Sequence, residues 1–470
     1  MKRAPKLHFV GIGGIGMSGI AEVFLNQGYG VSGSDLGDSE STRRLAGLGA
    51  RIAIGHRAEN VADAAVVVVS SAVRLDNPEV IEARVRRIPV IRRAEMLGEL
   101  MRERVGIAVA GTHGKTTTTS MLATIMIEAG LDPTLVIGGR VDHLGGNAKL
   151  GQGKYVVVEA DESDGSFLFL PAHYGIVTNI DNDHLDHFKT LEGIENAFVD
   201  FVAKLPFYGF AAVCLDDPGV RRCISRFSKP VVTFGESPDS DYRLSETRQG
   251  SRDSLLGSRF TIESKKHTGD FGAVEFELRV PGRHNVLNAL GAIALAHGLG
   301  IAVPVMQAGL SQFRGVKRRF EIHGQNQKRK IAVVEDYGHH PAEIAATLAA
   351  AREWWKEGRV VAVFQPHRYS RTLHCADGFL SCFGNADQVL ITEIYGAGED
   401  PIPGVTGKGL AEAISARTIR KQEIRFGGSL EATEAEVRKS LRDGDLVVCL
   451  GAGTITRMAP QLALSLAGTS

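Results

Sequence analysis

A chain of 470 residues is longer than one ordinary hydrophobic core serves, so two to four domains are expected. Hydrophobic residues at 43% and charged residues at 23% exclude a disordered chain. The 54 basic and 54 acidic residues balance, so bulk charge draws the chain to neither nucleic acid nor an anionic membrane. No apolar run approaches the roughly 18 residues that read as a membrane span. A strand predicted from Leu7 leaves no room for a signal peptide, so a cytoplasmic location is expected. The five cysteines, Cys214, Cys223, Cys375, Cys382 and Cys449, form no CxxC pair and read as reduced and structural.

The first unit opens with KLHFVGIGGIGMSGIAEVFLNQG. Leu7 to Val10 reads as a strand, the Gly11–Gly16 segment fits GxGxxG, and a helix follows through Leu25. Such a loop lets backbone N–H groups and a helix start face a phosphate. Asp35 closes the next strand at about the offset of a ribose-binding acid. The pattern calls for a diphosphate-bearing ligand and leaves NAD, FAD and a nucleotide sugar open. Strands are predicted in AAVVVVSSAV and RRIPVI, and the basic stretch from Ala83 to Glu95 reads as a solvated helix face and linker.

The second unit begins near Glu99. VGIAVAG is a strand, AGTHGKTTTT a phosphate loop and helix start, and KYVVVEA and YGIVTNI are further strands. Uninterrupted apolar runs of this kind suit a parallel sheet covered on both faces. In GxxxxGK[ST] the first glycine would fall on Val109; the glycine present is Gly111, so the loop is a shortened one. Gly111, Thr112, Gly114, Lys115, Thr116 and Thr117 are the candidate nucleotide contacts. The lysine reaches β- and γ-phosphates, and the hydroxyl of Thr116 ligates magnesium. Magnesium needs further oxygen ligands, and Glu159 at the end of KYVVVEA is the best placed. ADESDG adds Asp161, Glu162 and Asp164; TNIDNDHLDHF adds Asn179, Asp183, His184 and His187. His184 is a candidate ligand of a second magnesium. Zinc lacks a third soft ligand at suitable spacing. Helical LEGIENAFVDFVAKLP follows, and the polar tract from Gly235 to about Gly272 reads as edge strands and loops. The helix predicted over Gly282 to Gly300 carries Asn285 and Asn288 in its first turn.

A third unit starts near Gln312. KIAVVEDYGHHPAEI gives a strand, a polar loop and a helix with Pro341 at its start. Asp336 could accept from a ribose, and His339 or His340 could orient a substrate. QPHRYSRT gathers His367, Arg368 and Arg371 at another strand end, where arginine's planar fork suits phosphate or carboxylate. Gly98, Gly282, Gly315 and Gly324 are candidate hinge or contact points. The fold class expected is α/β in three domains: Rossmann-like over 1–98, a central P-loop ATPase-like domain with a mainly parallel sheet over 99–313, and Rossmann-like again over 314–470.

Taken together, GIGGIGMSGIAE, SSAV, AGTHGKTTTT, KYVVVEADESDGSF, TNIDNDHLDH, PGRHNVLNALGA, KRRFE, DYGHHPAE and QPHRYSRT resemble the Mur ligases of bacterial peptidoglycan synthesis, over essentially the whole chain. The DYGHHP and HRYSRT motifs favour the alanine-adding member of that family. The resemblance implies ATP and Mg2+ as cofactors, with UDP-N-acetylmuramate and L-alanine as substrates and an acyl phosphate between them. It assigns Gly13, Gly14, Ile15, Gly16, Asp35, Ser70, Ser71, His184 and His340 to the substrates. Asn285, Asn288, Arg319 and Asp336 go to the nucleotide, with Thr116, Glu159 and His184 on the metals. Lys115, His339, Arg368 and Arg371 are assigned to catalysis. A monomer or weak homodimer is expected. The carbamylated lysine of several relatives has no match here, since Lys204 lies too far along. Two other readings stay open: a ligase attaching a whole tripeptide to the same UDP-sugar, and an NAD-dependent dehydrogenase.

Overall fold

A computed structural model describes residues 5–70, 73–250, 256–265, 271–326, 328–417 and 422–467. Ser71 therefore lies outside the described residues. The chain divides into two compact units, one of Met1–Glu246, Phe260–Phe276 and Leu287–Phe313, the other of Thr247–Arg259, Glu277–Val286 and Arg314–Ser470.

The first unit opens with a five-stranded parallel sheet: β1 (Lys6–Val10), β2 (Gly30–Asp35), β3 (Arg51–Ile54), β4 (Val66–Val69) and β5 (Val90–Arg92). Their order is β3-β2-β1-β4-β5. Direction of winding reverses between β1 and β4, and a crevice opens beyond the carboxyl ends of the strands at such a switch point. The glycine loop leaves β1 and Ser70 follows β4, so both stand at that crevice.

Ten further strands form the second sheet: β6 (Val105–Ala110), β7 (Thr134–Val141), β8 (Gly146–Lys149), β9 (Tyr155–Glu159), β10 (Tyr174–Val177), β11 (Phe210–Cys214), β12 (Val231–Gly235), β13 (Tyr242–Gln249), β14 (Ser258–Ser264) and β15 (Ala273–Leu278). They run in the order β15-β14-β13-β12-β11-β10-β6-β9-β7-β8. From β7 through β9, β6, β10, β11 and β12 to β13 the pairing is parallel, with β8 antiparallel on β7. Apolar runs such as Val156–Val158 are buried throughout, as a sheet covered on both faces requires. The polar tract supplies β13 and β14, and β15, just beyond it, completes that edge of the sheet. Gly309 lets the helix Val303–Gln312 approach the phosphate-loop helix closely; a Cβ there would lie 2.8 Å from the Ile125 Cα.

One hydrophobic core runs through both sheets, from Leu7, Ile20 and Val68 to Ala108, Val158 and Val213. The helix Ile15–Asn26 also packs on the β8 arm. Asn147 Nδ2 donates to the Ile15 carbonyl at 2.8 Å, and a Cβ on Gly19 would meet Asn147 and Ala148 at 3.2 and 3.3 Å.

In the second unit lie β16 (Glu321–Asn326), β17 (Ile331–Asp336), β18 (Arg359–Phe364), β19 (Gln388–Thr392), β20 (Glu423–Gly428) and β21 (Asp445–Leu450), ordered β16-β17-β21-β18-β19-β20. Only β16 pairs antiparallel. Alternation along β17 sends Ala332 and Val334 to a core with Leu348 and Phe364, and Ile331 and Val333 to the opposite core with Leu462. Gly98 sits inside the helix Arg93–Met101, where a Cβ would lie 3.2 Å from the Phe169 carbonyl; a Cβ on Gly324 in β16 would lie 2.7 Å from that of Ala463. Both are therefore close-packing contacts, whereas Gly282 and Gly315 have φ of +98° and +93°, a backbone shape that favours glycine. Among the described residues no helix is long and apolar enough to cross a membrane.

Asp445 is buried and ties β18 to β21, accepting from Arg359 Nε at 2.9 Å and Nη2 at 2.7 Å and from the Arg442 N–H at 2.8 Å. Removing the carboxylate strands a largely buried guanidinium. Asp445→Ala should therefore cost about 3 kcal/mol of stability, read as a lowered midpoint in urea denaturation followed by tryptophan fluorescence.

Candidate active site

The phosphate loop joins β6 to the helix Lys115–Glu128. Gly111 and Gly114 adopt φ of +137° and +81°. A Cβ on Gly111 would fall 1.9 Å from Thr178 Oγ1, and one on Gly114 would fall 2.4 Å from Asn288 Oδ1. The loop is clamped by the segment after β10. Asn179 Oδ1 accepts the His113 N–H at 2.8 Å, while Thr178 Oγ1 and Asn179 Nδ2 donate to the His113 carbonyl at 2.6 and 2.9 Å. Thr112 Oγ1 accepts the Asp181 N–H at 2.9 Å. TNID is thus a brace for the loop, a role its sequence pattern did not signal. Thr117 is buried in the first turn of the helix.

Lys115 curls back, donating to the Gly111 and Thr112 carbonyls at 2.7 and 3.0 Å and pairing with Glu162 at 2.8 Å. Burial alone would lower the lysine pKa, but Glu162, Asp161 and Glu159 outweigh it and hold the ammonium charged. Burial pushes the Glu162 carboxyl up to about 7, with Asp161 adding to the effect and Lys115 opposing it. His184 caps the short helix Leu185–Phe188 at φ +58°, with its Nε2 at 3.6 Å from Glu162 and 3.7 Å from Asp183. Thr116 Oγ1 donates to Glu159 Oε1 at 3.0 Å, and Glu159 Oε2 accepts the Gly138 N–H at 2.7 Å.

A cavity of about 300 Å3 lies between the first glycine loop and the strand end that bears Glu159, the partner of Thr116. Its walls include Gly14, Ile15 and Gly16 from the first loop, Ser70, and, opposite them, Gly138, Glu159 and Asp161. Gly13 faces away from this space: its N–H is held by Asp35 Oδ2 at 2.8 Å. Asp35 is therefore engaged in shaping the loop. Arg93, in the basic run read as solvated, also lines the cavity and contacts Asp161 at 3.3 Å. For this arginine the solvated reading is corrected, because the fold turns its side chain over Gly16, where a Cβ would lie 3.2 Å from Arg93 Cδ. Composition of the run carried no hint of that.

Apart from Asn288, the remaining candidates occupy the second unit. Asp336 ends β17 and is buried, accepting the Phe320 and Gly338 N–H groups at 2.8 and 2.7 Å. Burial raises its pKa against the opposing pull of Arg319. Arg319 pairs with Glu343 at 3.3 Å and lies over the Tyr337 ring. His340 caps the helix Pro341–Trp354, its Nδ1 accepting the Ala342 N–H at 3.4 Å. Arg371 Nη1 lies 3.3 Å from His367 Nδ1, and Arg368, at φ +68°, reaches within 3.9 Å of Glu399. Asn285 donates to the Pro281 carbonyl at 2.7 Å. The helix spans Arg283–Gly298, so Asn285 lies in its first turn and Asn288 one turn later, a correction to the placement of both in the first.

His339 Nδ1 donates to the Tyr337 carbonyl at 3.0 Å, leaving Nε2 as the acceptor, and its ring packs 5.8 Å from that of His367. Burial lowers its pKa to about 4, with Arg371 and Arg319 adding and Glu343 opposing.

A phosphate loop braced at the centre of a parallel sheet, with the Glu159 partner of its threonine facing a second glycine loop across a cavity, defines a nucleotide-dependent α/β enzyme. Family models match along the chain: "Mur ligase family, catalytic domain" over residues 6–105, "Mur ligase middle domain" over 109–296 and "Mur ligase, glutamate ligase domain" over 318–453. The chain belongs to the Mur ligase family. A UDP-N-acetylmuramate–L-alanine ligase of Anaeromyxobacter dehalogenans is 54% identical over 98% of this chain and 97% of its own length. The same-named protein of Bordetella avium is 50% identical over 98% of each chain. Among solved structures, UDP-N-acetylmuramate-alanine ligase from Thermotoga maritima superposes with a TM-score of 0.82 at 32% identity, covering 99% of this chain and 100% of that one. A murein peptide ligase from Psychrobacter arcticus gives 0.69 at 26%, covering 99% of each.

The low pKa of His339 has a consequence for stability. The unfolded chain takes up this proton near pH 6.5 and the folded chain only near 4. Between those values the unfolded state binds more protons, so stability is intact above about pH 6.5 and falls as pH drops toward 4. His339→Gln should flatten that loss, worth about 3 kcal/mol at most, in urea midpoints measured across pH 4 to 7.

Proposed function

We infer that this chain is an ATP-dependent, amide-forming ligase that joins L-alanine to UDP-N-acetylmuramate, giving UDP-N-acetylmuramoyl-L-alanine, ADP and phosphate. The observation that carries this reading is the cavity bounded by the Gly14–Gly16 loop on one side and Glu159 on the other. A sugar nucleotide held at the first and a triphosphate held beside the second would meet in one space. Relatives at 50–54% identity that are named for the alanine ligation support it over the tripeptide-adding class, whose solved example stands at 26%. The dehydrogenase reading leaves Lys115, Thr116 and Glu159 without work. Free cysteines throughout and the reduced compartment they suit support a cytoplasmic enzyme.

In the mechanism we propose, the Gly114 and Lys115 amides at the helix start cradle the triphosphate and the Lys115 ammonium leaves Glu162 for the β- and γ-oxygens. The Thr116 hydroxyl and Glu159 carboxylate, 3.0 Å apart, are hard oxygen donors that fit magnesium, with His184 as a ligand at a second position. Magnesium, when bound, supplies charge neutralisation on the phosphate oxygens. The Gly14–Gly16 amides and the start of the helix Ile15–Asn26 hold the sugar diphosphate. Asn285, Asn288, Arg319 and Asp336 serve the nucleoside, while Arg368 and Arg371 stabilise charge on the transferring group. Phosphorylation of the lactoyl carboxylate supplies the leaving group that an amide-forming attack needs. His339, neutral at physiological pH with Nε2 as its acceptor, accepts a hydrogen bond from the incoming amine. Too weak a base to take the ammonium proton, it leaves that proton to water or another acceptor.

Phosphate release should require both L-alanine and the UDP-sugar, and a heavy-oxygen label in the sugar carboxylate should appear in the released phosphate. An unlabelled product would end the acyl-phosphate reading, and preference for the tripeptide over L-alanine would transfer the chain to the recycling class. Lys115→Ala should abolish phosphate release while UDP-sugar affinity changes less than twofold or so; normal turnover removes the loop assignment. With His184→Ala, the magnesium needed for half-maximal rate should rise about tenfold or more, and an unchanged titration would reject that ligand.

A further inference from the structure

The cavity between the first glycine loop and Glu159 poses an electrostatic problem. Glu159 and Asp161 both line it, yet the sugar nucleotide proposed to enter it carries a diphosphate and a carboxylate. Two carboxylates repel such a ligand unless a cation stands among them. Of the residues that line the cavity, Arg93 alone is cationic.

Its placement is built by several elements. Arg93 is the first residue of the helix Arg93–Met101, immediately after β5. The side chain is 22% exposed and lies across the first turn of the helix Ile15–Asn26. That course depends on Gly16, since a Cβ there would stand 3.2 Å from both Cδ and Nη1 of Arg93. Asp161, in the turn after β9, touches Nη2 at 3.3 Å. It is the only hydrogen-bond partner of this guanidinium among the described residues, so the remaining N–H donors of the fork are open to a ligand. Asp161 is itself held by the Ser163 N–H at 3.1 Å. The carboxylate thus steadies an arginine that is half committed to the protein and half to the cavity.

We propose that Arg93 is a substrate-binding residue that receives an oxyanion of the sugar nucleotide, with Asp161 as the positioning residue that aims it. Helix-start amides supply partial charge on one side of the ligand and the guanidinium supplies a full charge with fork geometry on the other. An uncharged sugar chain would gain nothing from this pairing, so Arg93 also discriminates for an anionic ligand. The inference rests on the reading that the first glycine loop takes the UDP-sugar.

The test is calorimetric binding of UDP-N-acetylmuramate, UDP-N-acetylglucosamine and a nonhydrolysable ATP analogue to the full chain and to its Arg93→Met and Arg93→Lys variants. If the unsubstituted chain fails to bind either UDP-sugar, the underlying functional reading falls, whatever the variants do. If it binds, Arg93→Met should weaken UDP-N-acetylmuramate by roughly 10- to 100-fold, with ATP-analogue affinity and melting temperature little changed. Arg93→Lys should recover part of the loss, since it restores charge without the fork. Equal weakening of both UDP-sugars assigns the contact to the shared diphosphate; weakening of UDP-N-acetylmuramate alone assigns it to the lactoyl carboxylate. Either supports the proposal. Unchanged UDP-sugar affinity in Arg93→Met, or an equal loss for the ATP analogue, overturns it. As a check on the aiming role, Asp161→Asn should raise KM for the UDP-sugar while leaving the melting temperature in place; a change in melting temperature alone returns Asp161 to a structural part.

Discussion

The buried ammonium of Lys115 is the charge around which this molecule is arranged. An unpaired charge in such a place would be costly, and the chain meets that cost with two loop carbonyls and Glu162. Those same partners dictate the loop's shape. The Gly111 and Thr112 carbonyls must turn toward the ammonium, and the backbone reaches this through glycines at φ values other residues avoid. The brace from Thr178 to Asp181 then fixes the result. A phosphate arriving at the loop replaces one anionic partner of the lysine with another, so the site is organised before its ligand appears.

Topology places the rest. In both sheets of the first unit the reactive groups stand beyond the carboxyl ends of parallel strands, where helix starts and loop amides point outward. Reversal of strand order beside β1 opens the crevice that the first glycine loop and Ser70 share. Gly14–Gly16 and the group of Gly138, Glu159 and Asp161 come from distant parts of the sequence, yet two sheets with one continuous core hold them against a common space.

How much of this could be read from the sequence follows from how local each feature is. The glycine loops, the strand ends bearing Glu159 and Asp336, and the proline at the start of the helix Pro341–Trp354 are written in a few neighbouring residues, and the folded chain has them in place. Edge strands in the polar tract were legible for the same reason. Features made by long-range approach were not. Arg93 sits in a run of arginines indistinguishable from a solvated helix end, and only the packing of that helix on Gly16 turns it inward. Asn288 is expected with Asn285 in the first turn of its helix, but it lies one turn later, and its approach to Gly114 is a long-range contact the sequence does not show. Asp35 fits the offset of a ribose-binding acid, yet it is engaged by Gly13, a contact across two strands that spacing alone does not reveal.

The β8 arm offers a last lesson. Because Asn147 and Ala148 lie against Gly19 and Asn147 donates to the Ile15 carbonyl, the two sheets of the first unit share not only a core but a latch on their mutual helix. Heat should therefore dismantle them in concert. A scanning calorimeter would record a single cooperative endotherm for both, in place of the stepwise melting that independent modules display.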